Sequence, residues 1–364
     1  MARPETPAPQ AAEAASPSPL REIVRRLARW ETGLVLLFIG TLIFGANASP
    51  AFTQSTTFFF VGLNIGEVAI MALPLALIII TGEIDLSVAS ILGLSGVVLA
   101  ELAGHGWPIQ AAIVMALVVG AACGLFNGFL ITRLGLPSLA VTIGTLALFR
   151  GIAQIILPND TLAGLPASLT KIGVVPIPNT QIPYSIAIFG FLAIVVAIAL
   201  HATPLGRSIF AIGLNREAAF FSGVRVKRIQ LWLFVLSGVL SALAGVLFTF
   251  RFASARYDSG VGLELDVITA CLLGGISIFG GRGTIFGVVL ALAILGSLRQ
   301  ALTLENVSPQ EQSIVVGGLL LLSVIVPSAG GVYRRTRAQV QASRQRRRAR
   351  GAPAQAPAAG EAAP

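Results

Sequence analysis

Asn64 and Glu67 stand three residues apart inside an otherwise apolar run, so on a helix they share one face. Arg150 and Gln154 are four apart in a second run, and Arg299 with Gln300 lies near the end of a third. Polar side chains in such runs are expensive and need an explanation. Their amide, carboxylate and guanidinium groups suit hydrogen bonding to a hydroxylated solute along a water-lined translocation path. The same groups also fit a structural role, with Glu67 pairing to an arginine and the amides bridging helices. A third possibility makes Glu67 a proton carrier.

No catalytic constellation accompanies them. His105 and His201 are far apart, and there is no G-x-S-x-G string or Cys/His metal spacing. Cys123 and Cys271 fall inside apolar runs and read as small packing residues. A phosphate-binding loop needs Gly followed by Lys, but Lys171 follows Thr170 and Lys227 follows Val226. The chain is expected to hold no metal and no cofactor, and ATP could act only through another subunit.

The most informative polar stretch is TPLGRSIFAIGLNREAAFFSGVRVKRIQ, residues 203–230. Asn215 is a good helix N-cap, and Glu217 sits in the first turn, where the helix dipole favours an anion. Ala218, Ala219, Phe220 and Phe221 follow, and Gly223 supplies a stop. The result is a short capped helix between two apolar runs. Its small-plus-aromatic composition fits insertion into a partner's groove, or equally an amphipathic helix at a membrane surface.

The elements that must position these residues are membrane helices. Of 364 residues, 55% are hydrophobic and 11% charged, against about 25% charged in a soluble chain. The apolar residues come in runs near 20 residues, long enough to cross about 30 Å of hydrocarbon. Ten spans are expected, at roughly 31–48, 58–80, 84–103, 107–130, 137–157, 184–203, 229–250, 263–280, 284–302 and 312–328. Eight spans with two re-entrant runs fit the charges nearly as well. The net charge of +9 does not call for nucleic acid, because no basic face with interleaved aromatics is present. Arg207, Arg216, Arg225, Lys227 and Arg228 fall in one loop, and the positive-inside rule then places both chain ends in the cytoplasm. Residues 1–29 read as a disordered cytoplasmic arm, 30–330 as the transmembrane domain with a cytoplasmic loop at 204–228, and 331–364 as a basic disordered tail. A proline-rich outward loop at 158–183 is expected to hold a short helix near 166–171.

A weak repeat is also visible. TGEIDLSVASILGL (81–94) matches GGRGTIFGVVLALA (280–293) at an offset of 199 residues, and the same offset carries the run after Arg29 onto that after Arg228. Two glycine-led membrane hairpins would also look alike by chance.

Four strings resemble the ribose/xylose/rhamnose-type permeases of ATP-binding-cassette (ABC) sugar importers: GRSIFAIGLNREAAFFSGV (206–224), TGEIDLSVASILGLSGV (81–97), GLFNGFLITRLGLPSLAVTIGTLALFRGIA (124–153) and ITACLLGGISIFGGRGTIFG (268–287). The likeness covers about residues 30–328, with rhamnose permeases nearest and autoinducer-2 permeases next. It departs at Glu83, where Gly is common, and at Cys271, where Val is common. The resemblance implies an all-α, polytopic ABC importer permease fold in a bacterial inner membrane. It implies a separate ATPase subunit, a periplasmic sugar-binding protein and a second permease subunit of the same or homologous sequence. It also implies that Gly213, Asn215, Glu217, Ala218, Ala219, Ser222 and Gly223, with Arg207, form the segment the ATPase grips.

Overall fold

The computed structural model describes residues 30–158, 161–163 and 165–325, and most of the apolar runs within them fold as helices. The helices are α1 (Trp30–Ala48), α2 (Ser55–Ile80), α3 (Val88–Gly104), α4 (Ile109–Thr132), α5 (Ser138–Ile156), α6 (Ala167–Val174), α7 (Tyr184–Ala202), α8 (Pro204–Leu214), α9 (Arg216–Phe221), α10 (Val226–Phe252), α11 (Leu263–Leu273), α12 (Ile285–Leu304) and α13 (Pro309–Ile325). Two short strands, β1 (Leu162–Ala163) and β2 (Ser254–Ala255), pair antiparallel. The expected arm and basic tail lie outside the described residues.

Among the described residues, seven helices are long and apolar enough to cross a membrane: α1, α2, α4, α5, α7, α10 and α12. α3 and α13 are shorter apolar helices. The ten-span expectation needs its largest adjustment at 263–280, where α11 stops after 11 residues. At 1.5 Å per residue it covers about 16 Å, roughly half the hydrocarbon. Glycines end it. Gly275 has φ +87, and a Cβ there would lie 2.4 Å from the Trp30 ring, so the turn needs both the left-handed backbone and the missing side chain. α8 is a helix where only a loop leading to Asn215 was expected. Pro204 begins it at a first-turn position where proline is preorganised.

Burial sorts the helices. α2 is the central post, with 89% of its apolar window buried, whereas the figure is 17% for α1 and 28% for α4, α5 and α7. Leu36, Ile155, Phe191 and Ile194 are exposed on these outer helices, as a lipid-facing shell requires. α2 packs against α7, α10, α11 and α12, and α10 also packs against α3 and α4. The α4–α10 crossing is built on small residues. Cβ atoms at Gly120 and Gly124 would lie 2.5 Å and 2.2 Å from the carbonyl oxygens of Gly238 and Phe234, so the backbones touch as in other membrane helix pairs.

The 199-residue offset reappears as geometry. It carries α1 into α10, α3 into α12 and the start of α4 onto the start of α13. The Cys271 thiol contacts the Ala72 carbonyl at 3.5 Å, a pair separated by 199 residues. α2 and α11 therefore meet at equivalent positions. α1 packs on α12 while α10 packs on α3, so each repeat lends its first helix to the other repeat's third. Trp30 and Ser323 line one cavity, so the first and last described helices reach the same end of the bundle. That is what an even number of passes gives.

Candidate functional site

The segment 203–230 lies at that same end. The Asn215 side chain accepts a hydrogen bond from the Ala218 N–H at 2.9 Å, the expected cap, worth about 1 kcal/mol to the helix. Glu217 is exposed in the first turn of α9. The Ser222 hydroxyl donates to the Ala218 carbonyl at 2.8 Å. Gly223 stops the helix with φ +84, and nothing lies near a Cβ there, so conformation alone selects glycine. Ala219 is buried in a small cluster with Ile212 and Val226, which seats α9 on the bundle. Ala218 faces out beside Phe220 and Phe221, whose exposures are 64% and 84%. Arg207 is exposed on α8.

Gly213 sits deeper. A Cβ on it would lie 1.8 Å from the Ile80 carbonyl oxygen and 2.4 Å from the Gly281 nitrogen. The Gly281 N–H donates to that same Ile80 oxygen at 2.8 Å. Gly213 thus joins α8 to the two repeat-related loops after α2 and α11. Glu83, one of the departures from the resembled family, adds a polar tie. It accepts from Arg216 and from Gln230, both at 3.1 Å. These contacts link the first residue of α9 to the α2–α3 loop and to α10.

Behind that loop, Asp85 is fully buried. Its carboxylate accepts from the Ser87 hydroxyl (2.6 Å) and N–H (3.0 Å) and from the Ser237 hydroxyl (2.8 Å). Asn127 donates to Ser87 at 2.8 Å. Asp85 does not cap α3; it organises the turn before the helix and ties it to α10. Thr284 does cap its helix, accepting from the Gly287 N–H at 3.1 Å.

The candidate path residues lie towards the opposite end and separate into three groups. Arg251, in the last turn of α10, donates to Glu67 at 3.1 Å, to Asn64 at 2.7 Å and to the Leu63 carbonyl. Asn64 donates to Gln300 at 3.3 Å. This network pins α2, α10 and α12 together and matches the structural alternative, with Glu67 paired to an arginine. Arg150 donates to the carbonyls of Tyr257 (2.8 Å) and Ser259 (2.7 Å) and so clamps the 254–262 loop. Gln154 shares no contact with it and is exposed. Arg299 pairs with Asp266 at 2.7 Å.

Sequence reasoning missed Arg251 and Asp266. Each meets a partner far away in the chain, Arg251 with Glu67 and Asp266 with Arg299. A lone carboxylate inside an apolar run was the available signal that Glu67 needed a cation at its own depth. On the exposed loop, Arg256 grips Asp258 through two contacts of 2.8 and 2.9 Å. Those hydrogen bonds, aided by the arginine's charge, hold the Asp258 carboxyl below the usual carboxylate range.

The chain matches the family described as "Branched-chain amino acid transport system / permease component" over residues 57–324. A relative named "Autoinducer 2 import system permease protein LsrD" from Photorhabdus temperata is 33% identical over 302 residues, covering 81% of this chain and 90% of the relative. A protein of the same name from Escherichia coli is 34% identical over 312 residues, covering 84% and 93%. "Autoinducer 2 import system permease protein LsrC" of Yersinia pseudotuberculosis is 37% identical over 261 residues, covering 71% and 72%. No solved structure matches the chain significantly. The matched stretch spans α2 to α13 and includes every group described above. The chain belongs to this family of transport-system permease components, and it is a multi-pass membrane transport component rather than an enzyme.

Proposed function

We propose that this chain is the membrane subunit of an ATP-driven importer for a neutral sugar or sugar-like solute. The observation that carries the proposal is α9, a capped helix seated on its own small core and presenting Ala218, Phe220 and Phe221 outward at one end of the bundle. Exposed aromatics on a short rigid helix are what a groove on a partner recognises. The ATPase would be that partner, since the chain has no phosphate-binding loop. A solute-binding protein would dock at the opposite end, and a second permease subunit would complete the path. In this reading α8, α9 and both chain ends are cytoplasmic. Reporter fusions at residues 20 and 340 then give cytoplasmic signals, and one at 170 an external signal.

Family membership supports the role and leaves the cargo open, because its description names amino acids while the relatives are named for autoinducer 2. Those names give rhamnose no support and make autoinducer 2 the first solute to test. The charges in the spans are scarce and each is tied to a counter-charge or to hydrogen-bonding groups, which favours an uncharged cargo, because an anionic one calls for several convergent cations. The test is uptake of labelled autoinducer 2, rhamnose, ribose and xylose in cells with and without the gene. Loss of uptake of one of them on deletion is expected; unchanged uptake of all four refutes the sugar-like cargo.

A further inference from the structure

We propose that the cavity walled by α11, α12 and α13 is a site at which the permease itself binds an uncharged polyhydroxy solute, an inference that rests on the importer reading above. The cavity holds about 320 Å³, at the lower end of the range for small-molecule sites. Asp266 in the first turn of α11, Arg299 near the end of α12 and Gln312 in the first turn of α13 all border it. It therefore lies towards the end opposite α8 and α9, where a solute delivered from outside would enter.

The chemistry of its wall is unsaturated. Asp266 is only 6% exposed, yet the one hydrogen bond its carboxylate makes among the described residues is the 2.7 Å contact from Arg299. A carboxylate has about four acceptor positions and a guanidinium five donors, so most of both remain open. Gln312 spends its amide N–H groups on the Thr303 hydroxyl (3.1 Å) and the Val307 carbonyl (3.0 Å). Its amide oxygen has no partner among the described residues. Thr269 is fully buried behind the wall, its hydroxyl donating to the Leu265 carbonyl at 2.6 Å.

Open donors and acceptors on a largely enclosed wall favour a ligand that can complete them. The pair meets through one contact, so it is not closed on itself as a bidentate pair would be. This one offers a donor array and an acceptor array side by side, which neighbouring hydroxyls of one ligand can engage together. The two charges cancel, so an anion meets Asp266 and a cation meets Arg299. An apolar solute would strand Asp266, Arg299 and Gln312. A neutral polyol satisfies each of them.

Gly317 gives a selective test, because it borders the cavity and nothing lies within 4 Å of where its Cβ would be. Gly317→Leu adds bulk at the cavity wall from a position where a Cβ meets nothing, and Asp266→Asn keeps the shape but removes the charge. Each variant is assembled with its ATPase and binding protein in vesicles. Uptake of labelled autoinducer 2, rhamnose, ribose and xylose is measured beside solute-independent ATP hydrolysis. The expected result for the solute that the wild type carries is a rise in KM of about tenfold or more in both variants, with ATP hydrolysis retained. Wild-type KM in Gly317→Leu overturns the site while leaving the importer reading intact. Loss of ATP hydrolysis together with uptake in both variants assigns the pair a structural role and also overturns the site. Failure of the wild type to carry any of the four overturns the sugar-like cargo, and with it the ligand assigned here.

Discussion

Gly213→Ala is the sharpest perturbation of the junction between α8 and the repeat-related loops. The added methyl would lie 1.8 Å from the Ile80 carbonyl oxygen, against a practical limit of 3.0 Å, and both obstacles at the site are backbone atoms. No rotamer change relieves this contact. The chain must open by at least 1.2 Å, which stretches the 2.8 Å hydrogen bond from Gly281 to Ile80 beyond bonding distance. Overpacking costs about 1–3 kcal/mol, and leaving a buried backbone pair unmade about 1–3 more. The sum is about 2–6 kcal/mol, roughly 5–20 °C in Tm. Tryptophan fluorescence of the detergent-solubilised protein, with Trp30, Trp107 and Trp232 as probes, reads the melt. Gly144→Ala on α5 is the control, since nothing lies within 4 Å of its Cβ. It is expected to be neutral or stabilising by about 0.5–1 kcal/mol. Uptake at a permissive temperature supplies the second measurement, because a displaced α8 carries α9 away from its partner. A Tm within 1 °C of wild type and unchanged uptake would refute the argument that this backbone contact fixes α8.

Ala218→Arg puts charge and bulk on the outward face of α9 and leaves the buried Ala219 alone; uptake should be abolished while membrane level and Tm stay at wild-type values, and full uptake would remove α9 from the coupling role. Glu67→Ala leaves Arg251 without its anion in a nearly closed environment, at a cost of about 3–5 kcal/mol; a melt within 2 °C of wild type would show that Asn64 and the Leu63 carbonyl suffice. The Asp258 carboxyl is depressed in the folded state, so its contribution is fully present above its unfolded pKa of about 3.9 and is lost only as pH falls through the lower folded value. Tm should therefore show no difference between wild type and Asp258→Asn in its pH dependence from pH 5 to 8, and a divergence confined to that window would contradict the Arg256–Asp258 geometry.

Much of the architecture was legible because membrane burial writes itself into composition. Runs near 20 apolar residues can be satisfied in hydrocarbon only as helices, so α1, α2, α4, α5, α7, α10 and α12 were visible without any tertiary information. Local capping was equally visible. Asn215 with the Ala218 N–H and Thr284 with the Gly287 N–H are three-residue relationships, and a chain closes such bonds whatever surrounds it. The 199-residue repeat could be glimpsed for the same reason, since it preserves the order of local patterns.

What the sequence did not determine depends on contacts between distant segments. That Arg251 belongs to Glu67, that Arg150 holds a loop in place, and that Asp266 faces Arg299 follow from how α2, α5, α10, α11 and α12 pack. Hydropathy reports how deep a residue lies and not which neighbour it meets, so every apolar run offers the same reading for its polar members. The length of α11 was hidden likewise. Its glycine-led stop looks like an ordinary small-residue stretch until Trp30 is seen filling the space beside Gly275. Tertiary packing thus decided which polar groups were spent on holding helices together and which, around Asp266 and Arg299, were left open to a ligand.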